Sequence, residues 1–202
     1  MKVTIADLNV GNLHSLRKAL ERLGAEVEIS ADVARWLAAD VLVLPGDGAF
    51  GATMAAIGPH REALKRRVLN RPTLGVCVGM QILFERSAEG EGVEGLGLCP
   101  GLVEKLPARR LPHMGWNTLE HDGGELFAGI PQRSHFYFVH SYAVRSCDQA
   151  NAWCDYEGRF VAAVQVGSCS YAVQFHPEKS DRWGLELLDN FLSLAEEWLL
   201  DA

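Results

Sequence analysis

Gly75-Val76-Cys77-Val78-Gly79-Met80-Gln81 is the stretch that decides the fold. The apolar run Thr73-Leu74-Gly75-Val76 leads into it and reads as a buried strand, while Met80 to Arg86 beyond it reads as helix. A cysteine at that junction, with a glycine two residues away on either side, has the form G-x-C-x-G. This is the cysteine counterpart of a nucleophile elbow, in which a sharp strand-to-helix turn lifts a reactive atom out of a sheet. Glycine is needed at both flanks because a side chain there would collide with neighbouring backbone. A thiol at a helix start also gains from unpaired N–H groups and the helix dipole. The Val78 N–H is then placed to stabilise an oxyanion. The bland alternative is a structural thiol beside two packing glycines. The strand–turn–helix setting favours a nucleophile.

Working outward, the chain before the elbow alternates strand and helix. Residues 2–6 read as a strand, and Asn12 as a helix cap. Leu13, Leu16, Leu20 and Leu23 follow at spacings of three, four and three, one face of a helix that Gly24 closes. Val27 to Ile29 reads as a short strand, Val33 to Ala38 as a short helix, and Val41-Leu42-Val43-Leu44 as a strand buried on both faces. One helical stretch then runs to about Asn70. After the elbow the pattern changes to strands: Leu102 to Leu106, Phe136 to Val144, Ala152 to Tyr156, Phe160 to Val166 and Tyr171 to Phe175. Leu185, Leu188, Leu192 and Leu199 mark a closing helix. The β-α-β-α rhythm predicts an α/β fold, an open, mixed, mostly parallel sheet flanked by helices, with its parallel part first. No repeat, low-complexity tract or linker interrupts it, so residues 1–202 are expected to form one domain.

Bulk properties narrow the classes of function. With 19 Lys and Arg against 26 Asp and Glu, the net charge of −7 opposes a nucleic-acid footprint, and Arg109-Arg110 is too short a basic patch to reverse that. No apolar run reaches the length of a membrane span, and the first residues read as a strand and not a signal peptide. Five scattered cysteines with no C-x-x-C pair suggest neither a zinc site nor a redox motif. A reducing cytoplasm is the expected compartment.

A thiolate needs a base, and His176 stands out in Val173-Gln174-Phe175-His176-Pro177-Glu178-Lys179-Ser180. Residues two apart in extended chain share a side, which would set the Glu178 carboxylate beside the imidazole as its orienter. Alone, a loop histidine beside an exposed Glu–Lys pair is the simpler reading; beside Cys77 the triad reading wins. Pro45-Gly46-Asp47-Gly48-Ala49-Phe50-Gly51 follows a buried strand and carries three glycines in six residues. Such a turn can present a backbone N–H to a ligand, or turn a peptide to do so. It has no Gly-Lys-Ser/Thr and is not a phosphate loop.

These three segments together resemble the class I (triad) glutamine amidotransferases along nearly the whole chain. The resemblance implies Cys77, His176 and Glu178 as the triad, and Val78, Gly46, Asp47 and Gly48 as the oxyanion site. Gln81, Glu89, Ser141 and Tyr142 match positions that hold glutamine. Pro112 to Asn117, Phe136 to Tyr142 and the segment Asp7 to Leu13 resemble one branch, the glutaminase subunits that feed a cyclase in histidine biosynthesis. That likeness implies a heterodimer with a β/α-barrel cyclase, which uses the ammonia to make imidazole glycerol phosphate and an aminoimidazole carboxamide ribonucleotide. Tyr137, Lys179, His113, Trp116 and Asn117 match positions facing that partner. No metal or organic cofactor is implied.

One departure concerns Asp47, where the family usually has valine. A charge beside a forming oxyanion would be unhelpful if it pointed inward, so Asp47 is expected to face solvent or the partner. Rival readings are a glutaminase serving another synthase, such as one making anthranilate or guanylate, a stand-alone thiol amidohydrolase, and a non-catalytic binding subunit.

Overall fold

The computed structural model describes residues 1–8, 13–90 and 92–201. The chain begins with β1 (Lys2–Ala6), α1 (Leu13–Arg22), β2 (Glu26–Ser30), α2 (Val33–Ala38) and β3 (Val41–Leu44), as the sequence pattern predicts. Helix α1 buries Leu16, Ala19 and Leu20. Gly24 follows it at φ 88°, a left-handed conformation that glycine supplies at a helix end without steric cost. The Asp32 side chain caps α2 by accepting from the Ala34 N–H. Asn12, expected to cap α1, lies outside the described residues.

The stretch expected as one helix up to Asn70 is two, α3 (Phe50–Ile57) and α4 (Arg61–Asn70), separated by a 3-10 turn at Gly58–His60. Gly58 sits at φ 53°, and Pro59 lacks the N–H a continuing helix requires. The buried Arg67 of α4 donates to the carbonyls of Trp36, Ala39, Arg71 and Pro72, tying α2 to the chain that enters β4 (Thr73–Val76). After the elbow, α5 (Val78–Gln81) lasts one turn, and the helix expected to Arg86 gives way to β5 (Phe84–Ser87). Tertiary pairing overrides the local preference here. The carbonyls of Ile82, Leu83 and Phe84 accept from Leu96, Leu98 and Gly97 at 2.6, 2.8 and 3.0 Å, leaving no continuing helical bonds.

The later strands are β6 (Cys99–Lys105), β7 (His113–Thr118), β8 (Glu120–His121), β9 (His135–His140), β10 (Tyr142–Ala143), β11 (Ala150–Asp155), β12 (Arg159–Val166) and β13 (Ser170–Val173), before the closing helix α6 (Asp181–Asp201). The large sheet has the order β2-β1-β3-β4-β13-β12-β11-β8. Its first five members are parallel and the rest antiparallel. The parallel part also takes β13, the last strand in the chain. Val173 pairs with Val76, so the residues leaving β13 emerge beside those leaving β4. Two small sheets, β10-β6-β5 and β7-β9, complete the fold. The single strand expected over Phe136 to Val144 breaks at Ser141, because β9 pairs with β7 while β10 pairs with β6. All residues of β3, β4 and β13 are buried, and α6 covers the core with Leu187, Leu188, Phe191, Leu192 and Ala195. No described helix is long and apolar enough to cross a membrane.

Candidate active site

Cys77 leaves β4 with φ 55° and ψ −108°, a left-handed conformation that is strained for a side chain with a Cβ. Its N–H is tied to the Val173 carbonyl at 2.8 Å, so the strain is held by the neighbouring strand. The glycines do what the elbow requires. A Cβ on Gly75 would lie 2.6 Å from the Gly79 carbonyl oxygen, and one on Gly79 would run into the carbonyl of Leu44. The dipole argument shrinks, because α5 is a single turn whose Met80 and Gln81 N–H groups both turn back to the Cys77 carbonyl.

His176 lies just past β13 and is 4% exposed. Its Nδ1 is 2.8 Å from Glu178 Oε1, and the carboxylate side chain is 5% exposed. The contact is made by a different route from the one expected. Pro177–Lys179 is a 3-10 turn and not the extended chain expected, and the turn still sets Glu178 beside the imidazole. Burial disfavours the imidazolium, but Cys77 and Glu178 outweigh it and push the His176 pKa up to about 10. Nδ1 donates to the carboxylate, and the buried Nε2 has no hydrogen-bond partner. Backbone fixes the base: the His176 N–H donates to Tyr137 O at 2.9 Å, and Ser180 Oγ donates to His176 O while accepting from the Tyr137 N–H.

A cleft of ≈ 320 Å³ opens over Cys77. Its walls include Val78, Asp47 and Gly48 from the oxyanion set, and Gln81, Glu89, Ser141 and Tyr142 from the glutamine-holding set. Gln81 donates through Nε2 to the Tyr142 carbonyl and to Gln174 Oε1, which leaves its own Oε1 to accept from a ligand. Glu89 has a second task unseen in the sequence, since Oε2 accepts from the Phe50 N–H at the start of α3. The oxyanion expectation needs correction. The Val78 N–H is not free but donates to the Gly46 carbonyl at 3.1 Å. The carbonyl side of the Gly46–Asp47 peptide, and not its N–H side, occupies the place an oxyanion would take. Asp47 is exposed at the cleft mouth, in keeping with its expected outward direction.

The five positions expected to face a partner divide. Trp116 is 52% exposed, beside Met114 at 62%, and Tyr137, Asn117 and Lys179 are half-buried. His113 is 3% exposed and cannot reach a partner, because strand alternation on β7 turns Met114 and Trp116 outward and His113 inward. It stacks on Phe138 and Tyr156 with ring centroids 4.8 and 4.0 Å away. Sequence reading also missed Gln174, whose Nε2 donates to Cys77 Sγ at 3.6 Å, and the Val139 carbonyl, 3.8 Å from the same sulfur. The alternation argument applied to His176 and Glu178 would have found Gln174, two residues before the base. The Val139 carbonyl carries no side-chain signal at all. Among the described residues, no cluster of His, Cys, Asp or Glu is arranged to hold a metal ion.

The elbow cysteine and the buried His–Glu pair leave neighbouring strands of the parallel sheet, and the comparisons with known proteins show the family. The family model for class-I glutamine amidotransferases matches residues 4–194. The imidazole glycerol phosphate synthase subunit HisH of Corynebacterium diphtheriae is 47% identical over 208 residues, covering 96% of this chain and 99% of its own. The HisH subunit of Streptomyces avermitilis is 48% identical over 206 residues, covering 95% of each chain. That of Mycobacterium bovis is 46% identical over 199, covering 94% and 96%. Among solved structures, a Thermoplasma acidophilum protein assigned to a GMP synthase superposes with a TM-score of 0.78 over 100% of this chain and 96% of its own. At 22% identity that likeness speaks for the fold alone. The chain belongs to the class-I glutamine amidotransferases, and within them to the HisH subunits.

Proposed function

We propose that this chain hydrolyses glutamine to glutamate and ammonia with Cys77, His176 and Glu178. It hands the ammonia to a β/α-barrel cyclase, its partner in a heterodimer, which forms imidazole glycerol phosphate and an aminoimidazole carboxamide ribonucleotide in histidine biosynthesis. One observation carries the reading: the strained Cys77 stands at the end of β4, beside a His–Glu pair 2.8 Å apart, under a cleft large enough for an amino acid.

The chemistry follows from the geometry. His176, held by Glu178 at 2.8 Å, takes the Cys77 proton and so makes the thiolate. The thiolate attacks the side-chain amide carbon, His176 protonates the departing ammonia, and the base so formed draws a proton from the water that cleaves the thioester. Gln81, Glu89, Ser141 and Tyr142 hold the substrate, with the Glu89 carboxylate suited to the α-ammonium. No metal or organic cofactor enters these steps. The oxyanion site is completed by turning the Gly46–Asp47 peptide, which frees the Val78 N–H and adds that of Asp47. Glycines at 46 and 48 make that rotation inexpensive.

The docking face is built from Trp116, Tyr137, Asn117 and Lys179. It is coupled to the base by the Tyr137 carbonyl that accepts from His176. Five free cysteines suit work in the reducing cytoplasm. The test is glutamate release from glutamine, with and without the cyclase and its nucleotide ligand, by the natural chain and Cys77→Ala. Strong release only in the complex, abolished by the substitution, is the expected result. Release independent of the partner points to a stand-alone amidohydrolase, and release without Cys77 overturns the mechanism.

A further inference from the structure

We infer that Gln174 is a positioning residue for the nucleophile: its amide donates to the Cys77 sulfur, in an orientation fixed by Gln81 and the Tyr142 carbonyl. One acceptor in the site has no choice of role. The Tyr142 carbonyl can only accept, so His140 Nδ1, 2.9 Å away, carries a proton and donates to it. Burial holds His140 neutral, its pKa lowered to about 3, so its Nε2 is an acceptor. His113 Nδ1, 3.1 Å from that Nε2, is therefore the donor. His113 is also held neutral by burial, so its Nε2 accepts from Asn117 Nδ2 at 3.2 Å. Asn117 is itself oriented by two backbone bonds, accepting from the Thr118 N–H and donating to the Asp155 carbonyl. Each tautomer and amide direction in this arm is determined.

The second arm leaves the same carbonyl. Gln81 Nε2 donates to Tyr142 O at 2.9 Å and to Gln174 Oε1 at 3.0 Å. With its Oε1 turned to Gln81, Gln174 has only its NH₂ group to offer the sulfur, 3.6 Å away. The Val139 carbonyl, 3.8 Å from Sγ on strand β9, accepts from a thiol but repels a thiolate. Besides the base His176, the sulfur therefore has one hydrogen-bonding neighbour that favours each protonation state, and Gln174 is the one of these two that favours the thiolate. A reversed amide would present an oxygen to the sulfur and favour the thiol instead. This assignment rests on Cys77 being the nucleophile.

The test reads the pH dependence of iodoacetamide alkylation of the full chain, followed by the mass of the Cys77 peptide. The titratable groups around the sulfur are His176, paired with Glu178, and the cleft-lining Asp47, Glu89, His140 and Tyr142, and the variants leave all of them in place. Gln174→Met removes the donor at similar length and is expected to raise the midpoint by about one pH unit, tenfold in thiolate population. Gln174→Glu keeps the shape and the bond from Gln81 but turns a carboxylate to the sulfur, so its midpoint should rise further. If Gln174→Met does not fold, the isosteric variant gives the same reading. Natural and variant chains with midpoints equal within about 0.2 units would overturn the inference. Glutamate release that survives Cys77→Ala would instead sink the nucleophile reading on which it rests.

Discussion

The two walls of the cleft are in different states. On the side built from β4 and β13 the proposed nucleophile Cys77, base His176, orienter Glu178 and sulfur donor Gln174 are in place, held by bonds of 2.8 Å at the Cys77 N–H and 2.9 Å at the His176 N–H. On the side after β3, the Pro45–Gly48 segment turns a carbonyl toward the Val78 N–H, where the reaction requires a donor. The first wall is fixed by neighbouring strands and by glycines whose replacement would collide with backbone. The second is a loop with exposed or half-buried residues at Asp47, Gly48 and Ala49 and little to hold its peptide plane. A hydrolase wasteful of glutamine is avoided if the chemical wall is permanent and the stabilising wall is conditional.

The sharpest way to break this contrast is to damage the fixed wall. Cys77→Ala in the complex is expected to lower glutamate release by about 10⁴-fold or more, whereas a loss of only a few-fold would place the chemistry elsewhere. Glu178→Gln should cost about 10²–10⁴-fold, since the imidazole loses its orienting carboxylate. The same substitution should draw the His176 titration, followed by proton NMR, down from about 10. The sign of the stability effect follows. His176 keeps a proton that the unfolded chain releases near 6.5, so the triad's contribution is whole below that pH and is lost as pH rises toward 10. His140 behaves oppositely. Held neutral to about pH 3, it stabilises the fold near neutrality and loses that contribution as pH falls from about 6.5, so acid melting should ease in a folded His140→Phe variant.

The conditional wall predicts smaller effects. Binding of cyclase and nucleotide without glutamine should speed hydrogen exchange at the Val78 amide by about tenfold relative to the free chain, since the Gly46 acceptor is withdrawn and no substrate replaces it. An equally protected amide in both states would mean the loop does not turn. Smallest is Asp47→Val, expected within about twofold of the natural chain without the partner, because the carboxylate lies exposed at the mouth. A strong rise in partner-free turnover would show that Asp47 restrains the loop.

Legibility in the sequence followed the range of the interactions. The periodic segments of the first half were readable almost to the residue, β3 and α2 among them, because burial on both faces or on one stripe imprints directly on residue order. Failures came where distant chain supplies the partner. Met80 to Arg86 has a helix-like pattern, yet residues 96–98 claim its carbonyls, and Phe136 to Val144 splits because its halves pair with different strands. His113 shows the same limit within the site: its motif was visible, but only the facing of β7 turned it inward.

By itself the sequence pointed to Cys77, His176 and Glu178, the proposed nucleophile, base and orienter, because G-x-C-x-G and His-x-Glu are local requirements of an elbow and of an imidazole with a carboxylate. Tertiary structure decided what those residues meet. Pairing of β13 with β4 brings positions 77 and 176 together across nearly a hundred residues. The direction of one peptide at Gly46, and the amide of Gln174 against the sulfur, depend on neighbours that no local pattern records, since a hydrogen bond is settled by which groups arrive at the same place.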